Sequence, residues 1–74
     1  MTTRIEVLSE VAGTVWTVAV APGATVAEGD EILVLESMKM EIPVPAPAAG
    51  AVAEILVAPG QAVEEGQVLA RIDR

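Results

Sequence analysis

Lys39 is the only lysine of this 74-residue chain, and it stands between two methionines and two acids in the stretch LESMKMEIP, from Leu35 to Pro43. A lysine amine has a pKa near about 10.4, so at neutral pH a base must free it before it can accept an acyl group. Met38 and Met40 put flexible apolar side chains on either side of that amine, with Glu36 and Glu41 as solvated acids beyond them. The plain alternative is an ordinary surface lysine whose neighbouring methionines fill gaps. Against it stand the uniqueness of the amine and the apolar area that two methionines at a turn would expose to water.

Other chemistry is thinly supplied. There is no histidine and no cysteine, so Ser9 and Ser37 have no base to activate them as nucleophiles. Two thioethers without Cys or His make a poor site even for a soft metal ion, and neither catalytic residues nor metal ligands are assigned. The chain is expected to be non-catalytic. With a formal net charge of -7 and Arg4, Lys39, Arg71 and Arg74 as the only cations, a surface for nucleic acid is hard to assemble. The longest uncharged run, Val11 to Ala27, is broken by Pro22-Gly23 and falls short of the roughly 20 apolar residues of a spanning helix. The opening MTTRIEVLSE lacks the apolar centre of a signal peptide, so a soluble cytoplasmic protein is expected, with no membrane partner.

The elements that must present Lys39 follow from a repeat. Shifted by 37 residues, Ile5 to Ser37 aligns without gaps on Ile42 to Arg74, with 12 of 33 pairs identical. Two copies are too few for a solenoid, which implies one domain over residues 1–74 with approximate twofold symmetry. Each half reads as about four short strands: β-branched runs are bounded by Gly13 and Pro22-Gly23, or Gly50 and Pro59-Gly60, with further turns at Glu28-Gly29 and Glu65-Gly66. Leu69 and Arg71 would share a face under strict alternation, so a bulge or an edge is expected there. Val18, Val20, Ile55 and Val57 are expected in the core, paired by the repeat.

In IPVPAPAAG, Pro43, Pro45 and Pro47 delete N–H donors from one side of a strand only. This protects an edge from pairing with other chains. The other reading is a ligand for a proline-binding domain. The repeat leaves out only residues 38–41, whose counterparts are residues 1–4. A twofold axis then sets the Met38-Lys39 connection at one pole and the chain ends at the other. A tight hairpin there needs φ > 0 at residues other than glycine, a strain of about 1 kcal/mol or more each.

The segment ESMKME, Glu36 to Glu41, resembles the attachment motif of biotinyl domains, the biotin carboxyl carrier modules of biotin-dependent carboxylases. The glycine, valine and acid pattern follows that family from Gly13 to Leu69. The resemblance implies an all-β fold, a flattened barrel of two four-stranded antiparallel sheets with quasi-twofold symmetry and the lysine on a tight hairpin. It matches Lys39 to the lysine that becomes amide-linked to biotin, Met38 and Met40 to the flanking methionines read by the ligase, and Gly29 and Gly66 to turn glycines. The implied partners are a biotin protein ligase, a biotin carboxylase subunit and a carboxyltransferase subunit. The carrier would shuttle carboxybiotin between the last two, toward an acceptor that is often an acyl-CoA in fatty acid metabolism. Two departures stand out: LSEVAGT lacks the proline-containing approach to the first glycine, and the span from Pro22-Gly23 to EGD is too short for the thumb of one subclass. Two rivals remain. A lipoyl carrier would favour Asp-Lys-Ala at the attachment turn; an unmodified adaptor sandwich would usually lack the lysine and carry long helical hairpins.

Overall fold

Short runs of Val, Ile, Leu and Thr cut by Pro-Gly and acid-Gly pairs leave little room for a helix. The computed structural model describes residues 3–74, and within them every regular element is a strand. The strands are β1 (Arg4–Leu8), β2 (Gly13–Val18), β3 (Thr25–Val26), β4 (Glu31–Ser37), β5 (Met40–Pro45), β6 (Gly50–Ile55), β7 (Ala62–Val63) and β8 (Val68–Asp73). They pair antiparallel into two four-stranded sheets, ordered β1-β8-β6-β3 and β5-β4-β2-β7. The 37-residue shift converts β1 to β4 into β5 to β8 and turns one sheet order into the other. Each sheet draws two strands from each copy of the repeat, so neither copy completes a sheet alone.

The turns repeat with the strands. In Ala21–Ala24, Pro22 fixes φ at the first central position and Gly23 supplies φ of 94° at the second, closing an Ala24 N–H to Ala21 carbonyl bond of 3.0 Å. The Ala58–Gln61 turn is its copy, closed at 3.1 Å. Between Gly23 and Gly29 the chain holds only the two-residue β3, with no protruding element.

A bulge accounts for each break in alternation. Val7 pairs with Ala70 and Leu8 with Val68, so Leu69 is the extra residue of β8; Ile32 is its counterpart in β4, skipped opposite Pro45 and Val44. Consecutive residues Ile32 and Leu33, and Leu69 and Ala70, therefore both enter the core at 0% exposure. The expected irregularity near Leu69 is this bulge. A second pair of bulges lies at Trp16 and Ala53, and the expected core is corrected in depth. Of Val18, Val20, Ile55 and Val57 only Val57 is buried; the other three are partly covered and pack against the cluster. The bulges shift the phase of β2 and β6 midway, so Val18, opposite Leu33, and Ile55, opposite Ala70, face inward like Val15 and Val52; at the last positions of their strands they are less covered, and Val15 and Val52 are the deepest.

Ser9 is buried too, and its Oγ donates to the Val11 carbonyl at 2.6 Å, so the hydroxyl is used in local structure rather than chemistry. At the far end of β1, Arg4 holds Asp73 with Nε to Oδ1 at 2.8 Å and Nη2 to Oδ2 at 3.3 Å. That hydrogen bond, opposed by desolvation and reinforced by the charge of Arg4, keeps the Asp73 carboxyl below the usual carboxylate range. Because the pKa is lowered by folding, the pair's contribution is complete above the unfolded value of about 3.9 and is lost as pH falls through the folded one. The pair is partly exposed, so the effect is small. Asp73→Asn is expected to lower Tm slightly at neutral pH and to narrow the Tm difference between neutral and strongly acidic solution, as scanning calorimetry would read.

Candidate functional site

β4 and β5 form a hairpin whose last in-register pair is Ser37 opposite Met40, which leaves Met38 and Lys39 as a two-residue loop. Two-residue loops that match the twist of the flanking strands need φ > 0 at both central positions, a type I′ turn normally built from Asn-Gly. Here φ is 53° at Met38 and 65° at Lys39, the only non-glycine residues in the left-handed region among those described. The strain expected from the sequence is present at both positions, at a cost of about 1 kcal/mol each. It fixes a direction. Met38 is 92% exposed and Met40 64%, and Lys39 stands exposed between them.

The base of the hairpin is anchored by residues that motif reasoning alone misses. Ser37 Oγ donates to the Ala12 carbonyl at 3.0 Å, tying the end of β4 to the chain entering β2. Next to it, a Cβ at Gly13 would lie 2.6 Å from the Glu36 carbonyl oxygen, so only glycine lets β2 approach this closely. The signal was present in the repeat, where Gly13 aligns with Gly50, and a Cβ there would collide with the Asp73 carbonyl in the same way. At the opposite pole, the symmetry counterpart of the Ser37–Met40 pair is Arg74 and Thr3, joined by a 2.8 Å backbone bond. Residues 1 and 2, which belong to the counterpart of the loop, lie outside the described residues.

β5 is an edge strand. The Ala46 N–H points inward to the Asp30 carbonyl at 2.7 Å, which puts Pro43 and Pro45 on the opposite, open side. The prolines therefore close the edge beside the loop to a further strand.

Among the described residues every ion pair is made by Arg4 or Arg71, and none by Lys39. Glu36 and Glu41 sit directly opposite each other, like charges on the outer face of the hairpin. An exposed primary amine with no ionic partner among the described residues, on a backbone that aims it outward, fits a carboxylic acid cofactor attached through an amide.

Residues 4–72 match the biotin/lipoyl family model, described as biotin-requiring enzyme. The chain is a biotinyl domain of that family. Covalent biotin is the cofactor of this biotinyl domain. It is 59% identical over 68 residues to the biotinylated protein TB7.3 homolog of Mycolicibacterium smegmatis, a match that covers 92% of the domain and 96% of the relative. Among solved structures it superposes on the urea carboxylase of Kluyveromyces lactis with a TM-score of 0.91 at 36% identity, over 95% of the domain and 6% of that chain. A single-chain, multi-domain long-chain acyl-CoA carboxylase matches with a TM-score of 0.89 at 38% identity, over 96% of the domain and 7% of that chain. The biotinyl domain thus spans nearly all of its small relative and a small part of each carboxylase, and it is a carrier domain homologous to segments of biotin-dependent carboxylases.

Proposed function

We propose that Lys39 is the attachment point and that the domain works in the cytoplasm as the carrier subunit of a biotin-dependent carboxylase, with an acyl-CoA as the final carboxyl acceptor. The observation that carries this reading is the strained two-residue loop that exposes the chain's one lysine amine. The likeness to a long-chain acyl-CoA carboxylase supports the choice of acceptor.

The chain's own residues supply position rather than activation. Lys39 Nζ, once deprotonated by a biotin protein ligase, forms the C–N bond of the amide as the activating group leaves the carboxyl carbon and the amine proton passes to the ligase. Acylation removes the positive charge of Lys39, so the formal charge of the chain moves from -7 to -8. Met38 and Met40 flank the amine as a flexible apolar surface for the ligase to read. Bound at Lys39, biotin supplies a ureido ring that takes up a carboxyl group at a biotin carboxylase and releases it at a carboxyltransferase. The rigid sandwich and the mobile arm together raise the local concentration of the group at both sites.

Intact mass and streptavidin blotting of the wild type and Lys39→Arg, each expressed with biotin and a biotin ligase, test the reading. The wild type is expected to gain one biotinyl group and Lys39→Arg none, with unchanged Tm because the side chain is exposed at a loop. Biotin on Lys39→Arg, or lipoate on the wild type, would overturn it.

A further inference from the structure

The twofold relation holds in the core and fails on the outer faces. Glu6, Arg71 and Glu54 stand side by side across β1, β8 and β6, in register. They form an ionic row, with Arg71 Nη1 2.6 Å from Glu54 Oε2 and Nη2 3.5 Å from Glu6 Oε2. The counterparts under the 37-residue shift are Pro43, Val34 and Thr17, side by side across β5, β4 and β2. None is charged. Val34 lies between Leu33 and Leu35, which both belong to the core cluster, so it faces the other way; yet it is only 6% exposed, which means that outer-face neighbours cover it. Beside this row the Trp16 bulge carries the only aromatic side chain of the protein, 53% exposed, where the other copy has Ala53.

This uncharged row is on the sheet that bears the Lys39 loop. Between row and loop lies the Glu36–Glu41 pair, like charges directly opposite each other that make no ion pair among the described residues. Tryptophan at the centre of an uncharged patch with a charged margin is the pattern of a protein-binding hot spot. A second copy of this chain is a poor occupant, because two molecules of charge -7 would bring their acidic margins together. An enzyme that binds bicarbonate and ATP, both anions, must present cationic groups near its active site, which complements that margin.

We propose that the outer face of β5-β4-β2, centred on Trp16 and edged by Glu36 and Glu41, is the surface on which the biotin carboxylase component docks. The inference rests on the carrier reading. Docking here sets the carboxylase beside the arm at the end of the same hairpin, while the ionic face of the other sheet stays in solvent.

The test uses the single-chain long-chain acyl-CoA carboxylase to which the domain is similar, with its own carrier lysine replaced by arginine, as the source of biotin carboxylase. ATP-dependent carboxylation is measured with free biotin and with the biotinylated wild type, Trp16→Ser, Glu41→Arg and Glu54→Gln, after intact mass has verified one biotin per molecule. A wild-type sample without biotin refutes the carrier reading itself, independently of docking. The wild type is expected to exceed free biotin in kcat/KM. Trp16→Ser is expected to lose about tenfold or more of kcat/KM through KM. Glu41→Arg is expected to lose activity in a way that added salt diminishes, and Glu54→Gln on the opposite face to behave as wild type. Thermal unfolding checks each fold, and Glu41→Arg, at an exposed edge, decides the matter if Trp16→Ser unfolds. A wild type no better than free biotin, or an equal loss in Glu54→Gln, or no loss in both face variants, would overturn the proposal.

Discussion

Leu69→Ala is expected to unfold most of the population at ambient temperature. Leu69 is fully buried at the β8 bulge, where it and Ala70 both enter the core, and deleting a buried leucine side chain costs about 2–5 kcal/mol with the cavity it leaves. A chain of this length, without cysteine, has a single small core that supplies no more than about 3–5 kcal/mol of net stability. Ile32→Ala, its counterpart in β4, is expected to behave alike, since its environment repeats. Urea titration followed by circular dichroism gives the answer directly. A loss under about 1 kcal/mol in both variants would mean that the bulges, and not the flat parts of the strands, are poorly packed.

The second large effect runs in the stabilising direction. Replacing Met38-Lys39 by Asn-Gly keeps the two-residue loop but gives it the residues that a type I′ turn favours. Relief of left-handed strain at two positions is expected to add about 1–2 kcal/mol, partly offset by the freedom glycine has in the unfolded chain. For a domain of this size that raises Tm by roughly 4–8 °C per kcal/mol gained. The same exchange abolishes biotin attachment, because it deletes the amine. Met38→Asn alone separates the two effects: part of the stability gain is expected while Lys39 still accepts biotin. An unchanged Tm in the double variant would show that the loop stores no strain. A raised Tm would make the hairpin a case where function and stability ask for different residues at one turn.

Much of this arrangement was legible beforehand because it is local or repeated. The Pro-Gly pairs dictate their turns wherever they occur, the gapless repeat forces related strand orders in the two sheets, and the residues left out of the repeat mark the loop. What was not legible depends on register. Trp16 and Ala53 look like ordinary strand residues until their partners are known, and their bulges let Val15 and Val18, and likewise Val52 and Ile55, face the core together. The contrast between the Glu6–Arg71–Glu54 row and Pro43–Val34–Thr17 likewise exists only once three strands are aligned. Gly13 could be seen as a repeated glycine, but its reason, the close passage of the Glu36 carbonyl, lies in the pairing of β2 with β4.

The interleaving of the strands also sets when the molecule can be finished. β8 is an inner strand: β1 waits for it on one side and β6 on the other, and Arg4 finds its register against Asp73. During synthesis the β4–β5 hairpin precedes β8, so the sheet that backs it is incomplete until Val68–Asp73 has left the ribosome. A nascent chain therefore shows the lysine in its motif without the platform behind it. An enzyme that recognises the folded shape of the hairpin and its sheet, and not the motif alone, would act only after translation of the last strand.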